Sequence, residues 1–417
     1  MTSVEQIPVG DLHCQRDTYC REFTTRCVDC SEKPNKKGLY EVKLHDTILF
    51  PEGGGQPSDT GFIDDVPVVD VQRRQLQHVH FTKQPIQVSK EVTVKLDWQR
   101  RWDHVQQHSG QHLLSAVLEQ EPYNLETVGW NLGEKRSYVE LGTAKGGQKP
   151  PSQEILDQVE RRVNDLILQE IPVIRHVQVN ADDGERPDSL PADYIGGGLI
   201  RTIEIQDFDK NPCCGTHVRH LGHLQCLKIL NTEKVRGGNT RVFFLFGQRV
   251  LDTLNANYKV ERQLTSLLSC PLESFVDSVT KIQQQSRQHM KQAKRLLADL
   301  AEHTVTELET TLATQPFAVS YRDDADMEYV SMIATLLKNK KTLDGQDKVV
   351  ILAAGEKQVG GPIIVVGGND DVVQKASKTV TQTIEGVKGG GKGRWQGKAK
   401  SWQGIEKLEE ALNALFI

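Results

Sequence analysis

A chain of 417 residues carries a prior of roughly two to four domains. With 26% charged and 37% hydrophobic residues and a net charge of −5, it reads as a globular protein, and bulk charge does not announce a nucleic-acid binder, so any basic surface must be local. No apolar run of about 18 residues occurs and Met1–Gly10 lacks the basic and apolar stretches of a secretory signal, so no membrane span and a cytoplasmic location with reduced thiols are expected.

Residues 1–98 alternate with period two. Tyr40, Val42 and Leu44 alternate with Glu41 and Lys43, and Val92, Val94 and Leu96 repeat the pattern, which predicts short strands of a small β-barrel or sandwich. Within this part, Phe50-Pro-Glu-Gly-Gly-Gly-Gln-Pro-Ser-Asp-Thr-Gly61 lets backbone approach another group without side-chain obstruction. Cys27 and Cys30, with Cys14 or Cys20, form an incomplete zinc pattern; ordinary thiols are the plainer reading, because no second CxxC follows.

Residues 99–250 mix helices and strands as an α/β sandwich. A helix over Trp102–Leu118 has an apolar side of Leu113, Leu114, Val117 and Leu118, and another is expected over Ser152–Leu168. Strands are expected at Arg136–Leu141, Pro172–Gln178, Leu199–Gln206, His223–Leu230 and Asn239–Phe246. Gly196–Gly198 precedes a strand, not a helix, so a dinucleotide-binding loop is not supported.

Residues 251–315 change character. From Phe275 through Val279, Ile282, Ser286, His289, Ala293 and Leu296 to Leu300 the spacing is that of a helical hairpin or coiled coil, with a break at Cys270-Pro271. The seam fits a homodimer and a helix packed on its own chain equally well. Residues 316–417 read as a small α/β domain, with buried strands at Val349–Ala353 and Ile363–Val366 and helices at Met327–Leu337, Val372–Ile384 and Ile405–Leu415. Between them runs a basic Gly-rich loop carrying Lys388, Lys392, Arg394, Lys398 and Lys400, whose cations can grip a sugar-phosphate backbone and whose Trp395 can stack on a base. The fold class is therefore α+β: an N-terminal β-barrel, an α/β sandwich, a helical hairpin or coiled coil, and a C-terminal α/β domain.

Two short ligand pairs carry the chemistry. His108 and His112 form HxxxH, which on a helix points both imidazoles one way, and Cys213 and His217 form CxxxH between turn residues. Three imidazoles and a thiolate suit one tetrahedral zinc ion per chain. Cys214 competes with Cys213 for the sulfur position, and His104 lies one more turn back on the same helical face. Ser109 stands where a zinc protease has glutamate, which argues against peptide hydrolysis.

In the same order along the chain, Pro51-Glu-Gly-Gly-Gly-Gln-Pro-Ser-Asp-Thr-Gly61, His108-Ser-Gly-Gln-His112-Leu-Leu, Asp207-Phe-Asp-Lys-Asn-Pro-Cys-Cys-Gly-Thr-His-Val218 and Val235-Arg-Gly-Gly-Asn-Thr-Arg-Val242 resemble the motifs of the alanyl-tRNA editing family, free-standing AlaX-type proteins and the editing part of alanyl-tRNA synthetase. The resemblance covers nearly the whole chain, and the helical and Lys/Gly-rich parts resemble the synthetase tail. It favours Cys213 as the sulfur ligand, with Cys214 standing where the family has glycine. No aminoacylation domain is expected before the barrel.

The resemblance implies a zinc editing domain that hydrolyses mischarged tRNA(Ala) in trans, chiefly the serine ester, with the glycine ester as a second substrate. A pocket for alanine rejects serine only about a hundredfold, whereas polar groups that bond the serine hydroxyl discriminate by roughly 10⁴ or more. Thr127, Gln111 and Gln56 are the sensing candidates. Asp207 would orient a histidine or take a proton, and amides near Gly53–Gly55 or Gly215 would stabilise the oxyanion. The competing reading is a zinc-stabilised module that binds tRNA or a partner without catalysis.

Overall fold

The computed structural model describes residues 6–142, 150–179, 199–235 and 237–416, in two compact units, Met1–Arg262 and Gln263–Ile417. In the first, a short helix α1 (His13–Arg16) precedes β1 (Glu22–Cys30), β2 (Tyr40–Leu44), β3 (Gly61–Ile63), β4 (Val66–Arg74), β5 (Gln77–Thr82) and β6 (Glu91–Leu96). These strands close into a barrel in the order β1-β2-β5-β4-β3-β6, which leaves no open sheet edge. The period-two pattern sends Val42, Leu44, Val92 and Val94 inward, where they pack with Cys27, Ile63, Val68 and Val71.

Helix α2 (Trp98–Glu119) follows, capped by Asp97, whose side chain accepts from Arg100 N–H. Next come β7 (Thr127–Asn131), β8 (Ser137–Leu141), α3 (Gln153–Leu168), β9 (Val173–Val179), β10 (Leu199–Ile205), β11 (Asp209–Pro212), β12 (Leu227–Lys234), β13 (Thr240–Phe246) and α4 (Gln248–Leu268). Two sheets form, β12-β13-β8-β7 and β11-β10-β9. Leu113, Leu114, Val117 and Leu118 of α2 join Val159, Val163 and Leu166 of α3 and Phe244 and Phe246 of β13 in one core. Full burial of each such side chain contributes about 1.5–3 kcal/mol.

The expected strand at His223–Leu230 begins only at Leu227, and Leu221–Leu224 is a single 3₁₀ turn. This turn is pinned by side chains: Tyr19 Oη lies 2.7 Å from His223 Nδ1, and Gln106 Nε2 donates to the His223 carbonyl at 2.9 Å. Gly196–Gly198 lies outside the described residues.

What fixes α2 against the barrel is a buried cation. Arg101 and Asp59 are both fully buried and paired; Arg101 Nε donates to Asp59 Oδ2 at 3.0 Å and its Nη1 to the Thr18 carbonyl at 2.9 Å. Asp59 Oδ2 also accepts the N–H of Phe50 at 2.7 Å, at the entrance to the glycine-rich segment.

In the second unit, α5 (Phe275–Thr314) runs into β14 (Phe317–Arg322), α6 (Met327–Asn339), β15 (Val349–Ala354), β16 (Gly361–Gly367), α7 (Asp370–Thr383), β17 (Lys388–Gly390), β18 (Arg394–Ala399) and α8 (Leu408–Phe416). The sheet order is β14-β15-β16-β18-β17. Ala301, Val305, Leu308 and Leu312 of α5 pack with α6 in one cluster that includes Val350, Leu352 and Ile364; α7 and α8 pack in another with Val349, Ile351, Ile363 and Val365, so alternate strand residues face opposite layers. Earlier in α5 the apolar row stands in solvent, with Val279, Ile282 and Leu296 exposed by 41%, 53% and 55%. Among the described residues, no helix is long and apolar enough to cross a membrane.

The basic Gly-rich stretch is a hairpin rather than a loop, and this corrects the reading of Trp395. Its ring is 7% exposed and belongs to the core under α7, so it is not a stacking platform for a base. The indole lies over Gly389 and Gly397, cross-strand partners where a Cβ would come within 2.5 Å of the ring. The glycines are thus explained by an aromatic packed across two strands. Arg394 and Lys398 alternate with the buried Trp395 and Ala399, and Lys388 is the cross-strand partner of Lys398, so these three cations share the other face; Lys392 occupies the turn and Lys400 follows β18.

Removing one member of a buried ion pair strands the other, at a cost of about 3–5 kcal/mol. Arg101→Met is therefore expected to lower unfolding stability by that amount in urea titration, and adding Asp59→Asn to the same chain should recover part of it.

Candidate metal centre

The histidine helix is unusual in burying its polar side chains. From His104 to Gln111 every residue of α2 is buried. Gln107 makes this possible at one point by pairing with both backbone groups of Phe246: Nε2 donates to its carbonyl at 2.9 Å, and Oε1 accepts its N–H at 3.0 Å. The helix is held by polar contacts as well as by its apolar side, so His108 and His112 are fixed before any ligand arrives.

The segment after β11 brings Cys213 and His217 to the same place. The four candidate ligand atoms lie within 4.8 Å of one another. Cys213 Sγ is 3.5 Å from His108 Nε2 and 3.2 Å from His217 Nε2. Zinc with bonds of about 2.0–2.1 Å to nitrogen and 2.3 Å to sulfur needs tetrahedron edges of roughly 3.3–3.7 Å, so the donor types suit that ion and the two Cys213 distances lie near those edges, within a cluster up to 4.8 Å across. His108 and His217 are buried, and desolvation holds both well below the ordinary imidazole range; it brings His112 down to about 4. The imidazoles are therefore offered neutral. Burial pushes the Cys213 thiol up to about 11, with Arg201 acting in the opposite direction, so binding a cation there releases a proton.

Two neighbours orient the rings. Gln56, fully buried, sets its Oε1 2.8 Å from His108 Nδ1 and accepts the Thr216 N–H at 2.9 Å, while its Nε2 donates to Thr216 Oγ1 at 2.8 Å. With Nδ1–H given to Gln56, His108 presents a bare Nε2. Ser109 Oγ sits 3.2 Å from His217 Nδ1 and accepts the Val218 N–H at 3.0 Å. Gly215 is required by close approach: a Cβ there would stand 2.1 Å from the His108 ring. The glycine-rich segment answers the same need from the other side, since Gly55, at φ +74°, faces the Trp130 ring, which lies 5.2 Å from that of His108.

The ligand segment is anchored by two side chains from distant parts of the chain. Arg201 Nη1 donates to the Cys213 carbonyl at 2.6 Å, and Gln15 Nε2 donates to the Cys214 carbonyl at 2.7 Å. Neither spacing nor residue type marks Gln15 or Arg201 in the sequence. Ser109 is visible there only as the missing glutamate of a protease motif.

Other expected residues fall elsewhere. His104 is buried but outside the cluster, with its pKa brought down to about 4 by desolvation. Asp207 is exposed in the turn between β10 and β11 at φ 57°, and the orienting role expected of it is filled by Gln56 and Ser109. Gln56 has both ends of its amide engaged, Oε1 by His108 and Thr216 and Nε2 by Thr216. Gln111 lies one helical turn from His108; it is 5% exposed, and among the described residues its Oε1 has no hydrogen-bond partner. Thr127 is half-buried on β7, with its N–H donated to Glu119 at 3.1 Å. Cys14 sits apart in another apolar cluster, and although Cys20, Cys27 and Cys30 share one, His108, His112, Cys213 and His217 are the only such donors grouped within metal reach among the described residues; burial pushes Cys14 and Cys27 up to about 12 and about 11.

A closed barrel joined to an α+β layer with a three-histidine, one-cysteine cluster defines a class, and residues 200–243 match the threonyl and alanyl tRNA synthetase second additional domain. The chain is 38% identical to alanyl-tRNA editing protein Aarsd1-A of Xenopus laevis, over 97% of this chain and 98% of that one. It is also 38% identical to alanyl-tRNA editing protein Aarsd1 of Mus musculus, over 93% of each. An alanine–tRNA ligase of Pyrococcus furiosus is 26% identical over 98% of this chain and 44% of its own length. The chain belongs to the alanyl-tRNA editing protein family.

Metal analysis of the purified protein should find one zinc per chain, lost in Cys213→Ala and His112→Ala. Outer partners of metal ligands are worth about 10–100-fold in affinity, and Gln56→Ala should weaken zinc in competition with a chelator by that factor while leaving the fold intact by circular dichroism.

Proposed function

We propose that this protein is a cytoplasmic hydrolase that removes wrongly attached amino acids, chiefly serine, with glycine as a secondary substrate, from tRNA(Ala). The observation that carries the reading is the convergence of His108, His112, Cys213 and His217 in a chain of this family. When bound there, zinc supplies a Lewis acid that orients and polarises the aminoacyl ester. The chain's own residues do the rest. Gln56 and Ser109 keep two ring nitrogens turned inward. The N–H groups of Gly53 and Gly215 are already given to the Gln56 carbonyl and to Cys213 Sγ, so the oxyanion role passes to the amides of Gly54 and Gly55.

Gln111 and Thr127 are the sensors this geometry supports, Gln111 Oε1 and Thr127 Oγ1 both being buried without a hydrogen-bond partner among the described residues. An unpaired buried acceptor costs about 1–3 kcal/mol, which a serine hydroxyl donating to it would return and an alanine methyl would not. Deacylation of Ser-, Gly- and Ala-tRNA(Ala) tests both claims. Wild type should hydrolyse the serine ester and spare the alanine ester, His112→Ala should abolish turnover, and Gln111→Met should shrink the serine-over-alanine ratio by about tenfold or more. Undiminished turnover in His112→Ala would remove the cluster from the chemistry.

Four protein donors close a tetrahedron as structural zinc sites do, which favours the second reading, a tRNA-binding module without hydrolysis. That reading predicts unfolding on chelation and no ester cleavage. In both, the cations of the β17–β18 hairpin serve RNA contact, although Lys on a short edge strand also guards against sheet-to-sheet association. Replacing Lys388, Arg394 and Lys398 together by Gln should weaken tRNA binding and reduce the salt slope by roughly one for each phosphate these cations neutralise. The exposed row Val279, Ile282 and Leu296 supports self-association through residues 251–315, which sedimentation reads directly.

A further inference from the structure

Beside the donor cluster, and sharing His217 with it, lies a cavity of about 180 Å³ whose charged lining is Arg16, Arg175, Arg201 and Arg219 with one carboxylate, Asp17. Its floor is one face of the β9–β10 ladder. Arg175 stands opposite Ile203, two residues from Arg201, so the two guanidinium-bearing residues are diagonal neighbours on the same face. Arg219 stands at the rim, its guanidinium 4.3 Å above the Tyr19 ring and its backbone N–H donated to Tyr19 Oη.

The charges do not balance. Arg16 pairs with Asp11 and Asp46, Arg175 with Asp11 at 3.5 Å, and Arg219 with Asp17 at 3.1 Å. Among the described residues Arg201 has no carboxylate partner. Its Nη1 and Nη2 donate to the backbone carbonyls of Cys213 and Gln15, and its Nε has no partner, although the residue is only 3% exposed. A guanidinium cannot shed its proton to escape burial. A divalent cation held next door by one thiolate and three neutral imidazoles adds positive charge rather than removing it.

We propose that this cavity binds a phosphate of the RNA 3′ end, the one nearest the reacting ester, and thereby places the terminal nucleotide with its ester at the donor cluster. The volume is below the roughly 300 Å³ at which pockets enclose a drug-sized ligand, so it suits an anionic group and not a whole nucleotide. Planar, permanently charged guanidinium groups recognise phosphate by paired hydrogen bonds. The terminal phosphate lies one ribose away from the ester, and one ligand, His217, borders both places. The inference rests on the deacylase reading for its substrate, but the cavity can be tested apart from it.

The variants of choice are Arg175→Gln and Arg219→Gln together, because these side chains are 33% and 64% exposed, whereas Arg201 supports the Cys213 carbonyl. Two substrates are compared, seryl esters of adenosine with and without a 5′-phosphate. Wild type should prefer the phosphorylated ester by about tenfold or more in kcat/KM, and the ratio should collapse in the double variant. Absence of a preference in wild type, or an equal fall for both esters in the variant, overturns the proposal.

Binding is read separately by thermal shift on the full chain. Adenosine 5′-monophosphate should stabilise the wild type more than adenosine does, with the difference lost in the variant. No difference overturns the proposal, and so does inorganic phosphate acting as strongly as the nucleotide, which would assign the cavity to the free ion. A phosphate-dependent shift without hydrolysis of either ester would sink the deacylase reading and leave the phosphate site standing.

Discussion

One carboxamide ties the two halves of the donor set together. Gln56 accepts from a ring nitrogen of His108 and from the Thr216 amide, and it donates to the Thr216 hydroxyl, so helix and Cys/His segment meet on a residue of the barrel's glycine-rich motif. Because each end of the amide has its own partner, Gln56 can sit in only one orientation. The ring it touches can then offer only Nε2. Gly215 leaves the space that the His108 ring fills, and Gly55 leaves the space for Trp130 behind that ring. The glycines in both motifs therefore serve the packing of one imidazole.

The same economy explains why so polar a helix is buried. Desolvating glutamine, histidine and arginine is costly unless each finds a partner. On α2, Arg101 finds Asp59, Gln107 finds the backbone of Phe246, and Gln106 finds the carbonyl of His223. Among the described residues His104 Nδ1 and Gln111 Oε1 on this helix, Thr127 Oγ1 on β7 and Arg201 Nε beneath the Cys213 segment remain without partners, as does Trp402 Nε1 in the second unit.

Short-range pattern makes much of this legible in the sequence. HxxxH and CxxxH need only helical periodicity and the ligand preference of zinc, and Val42, Leu44, Val92 and Val94 show the inward face of the barrel through alternation. Ser152 marks the start of α3, where its side chain accepts from the Ile155 N–H. Contacts without a local signature are not legible. Gln56 meets His108 across 52 positions, and Gln15 reaches Cys214 across 199. Lys388–Lys400 reads as a loop because glycine is a poor strand former; the cross-strand indole of Trp395 supplies the packing that propensity leaves out. His223 reads as strand through its apolar neighbours, whereas Tyr19 and Gln106 hold it in a turn.

X-ray absorption at the zinc edge of the purified protein asks most directly whether these four side chains share one ion. The account predicts three nitrogen neighbours at about 2.0–2.1 Å and one sulfur at about 2.3 Å, with the sulfur shell absent in Cys213→Ala. An all-nitrogen or oxygen shell in the wild type, or a sulfur shell that survives in Cys213→Ala, would contradict it.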